Sequence, residues 1–150
     1  MKRDMEDEQA RAQRAAPMLS YEDVGAAIDW LERVFGFREL EGERYTDDEG
    51  YVTHAELALD GALVMLGWPG PEYRGPARHA EECDVARRWL ESPYVVDGVW
   101  IRVEDVDAHF ERARAEGATI LGELVDQPYG RLYRAADVEG HRWMFMHQAS

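Results

Sequence analysis

The stretch Asp105-Val106-Asp107-Ala108-His109-Phe110 restates, 82 positions on, the pattern of Asp23-Val24-Gly25-Ala26-Ala27-Ile28. Each aspartate is a helix N-cap, a carboxylate that accepts from the free backbone N–H groups of a first turn. Behind Asp23 the apolar residues Val24, Ile28, Leu31 and Phe35 recur at helical spacing and predict one buried stripe. Gly36 and Gly117 stand where each helix must stop, because glycine enters the left-handed region freely. Ahead of the aspartates lie two short strand-like runs, Met18 to Tyr21 and Val99 to Val103. After the first helix come Tyr51 to Leu59, an Asp60-Gly61 turn and Ala62 to Leu66, which reads as a hairpin. After the second come strands over Thr119 to Leu124, Arg131 to Ala136 and His141 to Gln148. Two tandem β-α-β-β-β units in an α+β domain over 16–150 follow, the units covering about 16–67 and 97–149. The linker, about 68–96, is rich in proline and glycine at its start, and a short helix is predicted over His79 to Leu90.

Outside the repeat, residues 1–15 mix both charges with almost nothing apolar and read as a flexible, charged N-terminal arm or loose helix. No apolar run approaches the roughly 18 residues of a membrane span, and a cytoplasmic protein with no membrane partner is expected. The net charge of -14 repels phosphate backbones, which excludes nucleic acid as a partner and attracts cationic ligands. Cys83 is the only cysteine, so neither an internal disulfide nor a cysteine-based zinc site holds the fold together, and its neighbour His79 reads as incidental.

Near the C-terminus, Pro128-Tyr129-Gly130 leads to Arg131 and Tyr133, then to Asp137-Val138-Glu139-Gly140-His141-Arg142-Trp143. This resembles the closing motif of the vicinal oxygen chelate superfamily, which includes glyoxalase, bleomycin-resistance proteins and ring-cleaving dioxygenases; Val138 stands where that motif usually has proline. Asp23-Val24, Phe35-Gly36-Phe37 and His54-Ala55-Glu56-Leu57 resemble the same family's first unit. The resemblance implies a curved, U-shaped mixed sheet with the helices outside, a ligand cleft between the units, and a homodimer.

Metal-using members carry ligands about seven residues before the helix-capping aspartate and four after the turn glycine. Those positions here are Ala16, Gly98 and Met144, and strand 62–66 of the first unit offers no donor. No metal site and no cofactor are therefore expected, since hard divalent ions want oxygen or nitrogen.

Strand alternation assigns the side chains that would line the cleft. Thr53, Ala55, Leu57 and Leu59 share one face of their strand, and Val52, His54, Glu56 and Ala58 the other. Cleft candidates are His54, Glu56, Trp100, Arg102 and Met144, with Met18, Ser20 and Arg142 on the same faces. Tyr129 and Tyr133 are expected to close one end, while Trp143 and Phe145 face the helices and His141 holds the hairpin. His54 and Glu56, two apart on one strand, are also the candidates for a catalytic acid/base pair. The function expected is metal-independent binding of a cationic or aromatic small molecule, of the antibiotic-sequestering type. The alternative is a glyoxalase-like lyase or isomerase with an atypical metal site or none.

Overall fold

The computed structural model describes residues 1–148, and the expected ends of the second unit and of the domain, 149 and 150, lie outside them. The chain forms two compact units, Met1–Tyr73 and Arg74–Ser150. Unit 1 contains α1 (Lys2–Arg11), β1 (Met18–Ser20), α2 (Val24–Phe35), β2 (Arg38–Glu39), β3 (Tyr45–Thr46), β4 (Val52–Leu59) and β5 (Ala62–Gly67). Unit 2 contains α3 (Pro76–Glu82), α4 (Asp84–Leu90), β6 (Val99–Arg102), α5 (Val106–Ala115), β7 (Thr119–Gln127), β8 (Gly130–Ala136) and β9 (Arg142–Gln148).

Both repeat aspartates cap their helices. The Asp23 carboxylate accepts the Ala26 amide at 3.0 Å, and Asp105 accepts that of Ala108 at 3.1 Å. Gly36 ends α2 in the left-handed region at φ 77°. Gly117 acts one step later than its counterpart: Glu116 is the C-cap, and Gly117 and Ala118 donate back to Arg114 and Ala113 in a Schellman motif.

The sheets repeat as well. Their orders are β1-β5-β4-β2, with β3 also on β4, and β6-β9-β8-β7. In each the first strand runs parallel to the last, and the other pairs are antiparallel. Met18 sits opposite Met65, and Trp100, 82 positions after Met18, sits opposite Met144, so the same parallel pairing recurs in both units. Met65 is thus the first-unit counterpart of Met144.

The predicted stripe of α2 is fully buried together with Ala27 and Val34, as are Ala55 and Leu57 of β4. In unit 2, Phe110 of α5 meets the Tyr133 ring edge-on at 5.0 Å, and Trp143 lies parallel to Phe145 at 6.0 Å. Each such side chain withdrawn from water contributes about 1.5–3 kcal/mol.

Several readings of the sequence meet a different outcome; the helix expected over His79 to Leu90, for one, is two helices, α3 and α4, that break at Cys83. Residues 2–11, taken as a flexible arm or loose helix, form α1, and Ala10 packs with Leu40, Ala58 and Leu63. Gln13 then mimics a strand: its Nε2 donates to the Leu63 carbonyl at 3.0 Å and its Oε1 accepts the Leu63 amide at 3.1 Å. Ion pairs of Arg38 with Asp7 and of Arg11 with Glu43 flank that contact. Ala58 lies on the His54 face of β4 by alternation, so α1 covers one end of that face.

Tyr133, expected at the mouth of the cleft, is a core residue. It pairs with Phe145 across β8 and β9, on the face covered by α5, and its hydroxyl lies 2.6 Å from His109 Nδ1. Burial holds its phenol pKa well above the ordinary value of 10. Above roughly pH 10 the unfolded chain releases this proton while the native chain keeps it, so stability falls as pH rises, by up to about 1.4 kcal/mol per unit. Urea titrations from pH 9 to 11 are expected to show this slope in the wild type and a shallower one in Tyr133→Phe.

Candidate functional site

In unit 1 the face of the sheet away from α2 carries the expected polar pair. His54 Nε2 lies 3.1 Å from Glu56 Oε2, and both side chains are mostly buried. His54 is opposite Tyr45 and Gly67, and the Tyr45 ring is 5.7 Å from the imidazole. Glu56 is opposite Met65, which in turn is opposite the exposed Met18. A carboxylate orienting an imidazole suits proton transfer or the binding of a cation.

In unit 2 the equivalent face is aromatic and basic. Val99 and Ile101 turn inward, leaving Trp100 46% exposed and Arg102 on the open side. The Arg102 guanidinium lies 5.5 Å from the centre of the Trp100 ring, in cation–π range. Met144 separates Trp100 from Arg134 in the register. Arg134, which alternation along β8 could have found once Met144 was placed, lies over Gly122. No carboxylate pairs with Arg134 or Arg102 among the described residues.

Tyr94, in the irregular segment after α4, reaches this face as well: its hydroxyl is 3.8 Å from the Met144 sulfur. Tyr94, Leu121, Arg134 and Arg142 border a shallow crevice with room for about one water. Tyr94 carried no periodic signal in the sequence, so only the folded chain brings it here.

The remaining candidates separate. Tyr129 is exposed in the β7–β8 turn, roughly 16 Å along the strand from Arg134 at about 3.3 Å per residue. Arg142 borders that crevice without being open to water. It is buried and donates from Nη1 to the carbonyls of Leu90 at 2.8 Å and Ser92 at 2.7 Å, and from Nη2 to that of Asp97 at 3.2 Å. His141 does hold structure, through a 2.6 Å contact of its Nδ1 with the Asp97 carboxylate.

The family's metal positions do not fit a hard divalent ion in this chain. Gly98 has no side chain, and a Cβ there would lie 2.7 Å from the Tyr94 ring. Met144 and its counterpart Met65 offer only thioethers, and Ala16 offers nothing.

Among the described residues no helix is long and apolar enough to cross a membrane. A model of the glyoxalase/bleomycin resistance protein/dioxygenase superfamily matches residues 14–145. An uncharacterized protein of Mycobacterium bovis is 32% identical over 133 residues, covering 85% of this chain and 78% of its own. The crystal structure of TioX from Micromonospora sp. ML1 is similar at 35% identity and TM-score 0.64, covering 92% of this chain and 98% of TioX. TnmS3, an antibiotic binding protein from Streptomyces sp. CB03234, is 19% identical with TM-score 0.58 over 92% of this chain and 98% of its own, a likeness of fold alone. With its tandem units, closing motif and matched length, the chain belongs to the glyoxalase/bleomycin resistance protein/dioxygenase superfamily.

Proposed function

We propose that this protein binds and sequesters a small aromatic compound without a metal, as a homodimer, in the manner of the antibiotic-binding members of its superfamily. The observation that carries this reading is the half-exposed Trp100 with Arg102 against its ring and Arg134 two strands away on the same face. An indole left in water with one guanidinium against its ring and a second across Met144, neither paired with a carboxylate among the described residues, is a stacking plane with anion hooks near its edge. Overall charge pointed to a cationic ligand, but charges adjacent to the ring outweigh distant ones screened over about a Debye length. The unit 2 face therefore favours an aromatic ring bearing a carboxylate or phenolate.

The test combines metal analysis of the purified chain with titration of its tryptophan fluorescence by 2-naphthoate and by 2-naphthylmethylammonium. Saturable binding of 2-naphthoate, recovered unchanged, with the ammonium weaker and metal far below one per chain, is the expected result. Trp100→Ala is expected to weaken binding about tenfold, the loss of roughly 1.4 kcal/mol of stacking and cation–π attraction. Stoichiometric metal, or no loss of affinity in the variant, would overturn the reading.

A second reading, proton-transfer catalysis as in a lyase or isomerase, is favoured by the 3.1 Å contact between His54 and Glu56. Conversion of the bound compound in the same titration would replace sequestration by this reading.

A further inference from the structure

The segment from Leu90 to Gly98 is a strap pinned at both ends and loose in the middle. Arg142 accounts for both anchors, holding the carbonyls of Leu90 and Ser92 at one end and that of Asp97 at the other. His141 reinforces the second anchor through the Asp97 carboxylate. Between the anchors Val95 and Val96 are half exposed, so little apolar burial holds the middle down.

Tyr94 is the exception within that middle. Its φ of 65° lies in the left-handed region, which is costly for an aromatic residue and persists only where surrounding contacts compensate. The compensation is a socket. The ring lies where a side chain at position 98 would be, so close that a Cβ on Gly98 would stand 2.7 Å from it, and its hydroxyl meets the Met144 sulfur. Even so, Tyr94 remains 57% exposed. A strained residue with a partly buried ring, on a strap anchored only at its ends, is held weakly in place.

We infer that Tyr94 is an internal occupant of the aromatic socket formed by Gly98 and Met144 beside Arg134, and that an aromatic ligand enters by displacing it. This rests on the aromatic-binding reading of the unit 2 face and adds a competitor to it. The socket takes one ring of a planar aromatic, with Arg134 placed for an acidic substituent. Tyr94 lowers apparent affinity by the fraction of molecules in which the socket is free. If the strap is closed in about nine of ten, the reduction is about tenfold.

The experiment compares wild type, Tyr94→Ala and Tyr94→Phe in titrations with 2-naphthoate, with urea unfolding to verify that each is folded. Tyr94→Ala is expected to bind about tenfold more tightly, and Tyr94→Phe, which keeps the ring, to stay within about twofold of wild type. Hydrogen exchange of the wild-type amides at 94–97 is expected to speed up on saturation with 2-naphthoate. Unchanged or weaker binding by Tyr94→Ala, or protection of those amides in the complex, would overturn the inference while leaving the aromatic-binding reading intact. Failure of all three proteins to bind would remove that reading and the inference with it.

Discussion

Replacing Asp137 with alanine is expected to lower the free energy of unfolding by about 3–5 kcal/mol, the largest single effect predicted for this chain. The carboxylate is buried and serves at least three donors. Its Oδ1 accepts the amides of Glu139 and His141, each at 3.0 Å, and its Oδ2 accepts the Trp143 indole N–H at 3.0 Å. Alanine would strand all three donors, two of them in the turn that sets the β8–β9 register. The third belongs to the indole that lies parallel to Phe145 in the core. Asp137→Asn keeps one oxygen for the turn but opposes an amide N–H to the indole donor, so a smaller loss is expected. Urea unfolding followed by tryptophan fluorescence measures both, and a loss below about 1 kcal/mol in Asp137→Ala would refute the account. The same bonds explain the Asp-x-x-Gly-His-x-Trp pattern: aspartate folds the turn, Gly140 takes its left-handed position at φ 91°, and tryptophan ties the turn to the core.

Arg142→Ala is the second, with an expected loss of about 3 kcal/mol. Removing a buried guanidinium leaves the Asp97 carboxylate to His141 alone and frees three carbonyls at once. Lysine cannot replace it, because a point charge lacks the planar fork that reaches both ends of the strap. Arg142→Lys is therefore expected to lose most of the same stability. The strap should also become accessible: limited proteolysis is expected to cut between residues 90 and 97 in Arg142→Ala well before it cuts the wild type. Equal cleavage of the two would show that Arg142 does not anchor the segment.

Several parts of this molecule follow from residue order, since the interactions behind them are local. Asp23 and Asp105 cap helices whose first turns begin at the next residue. Asp60 and Gly61, at φ 48° and 86°, build a hairpin turn that needs two left-handed residues in succession. Alternation along a single strand was enough to put Trp100 and Arg102 on one face and to bring His54 and Glu56 together. The 82-residue offset of the helix-capping segments predicted two like units, and the parallel pairings of Met18 with Met65 and Trp100 with Met144 bear out that likeness.

What residue order left open depends on contacts between segments far apart in the chain. Tyr133 lies opposite Phe145, and this cross-strand partner, rather than its neighbours Arg131 and Arg134, sends it into the core. Arg134 joins the candidate site by the same register, through Met144. Residues 1–15 looked too polar to pack, yet one alanine and one glutamine side chain suffice for docking when Ala58 and the Leu63 backbone present a matching surface. Tyr94 had no periodicity to mark it, and its place is set by a missing Cβ at Gly98 and by the anchors that Arg142 provides. The sequence by itself determined caps, turns, strand faces and the repeat, because each depends on neighbours a few residues away. Only the tertiary structure decided which aromatic and basic groups share a surface, because strand register and loop docking join residues 50 or more positions apart, as Tyr94 and Met144 are.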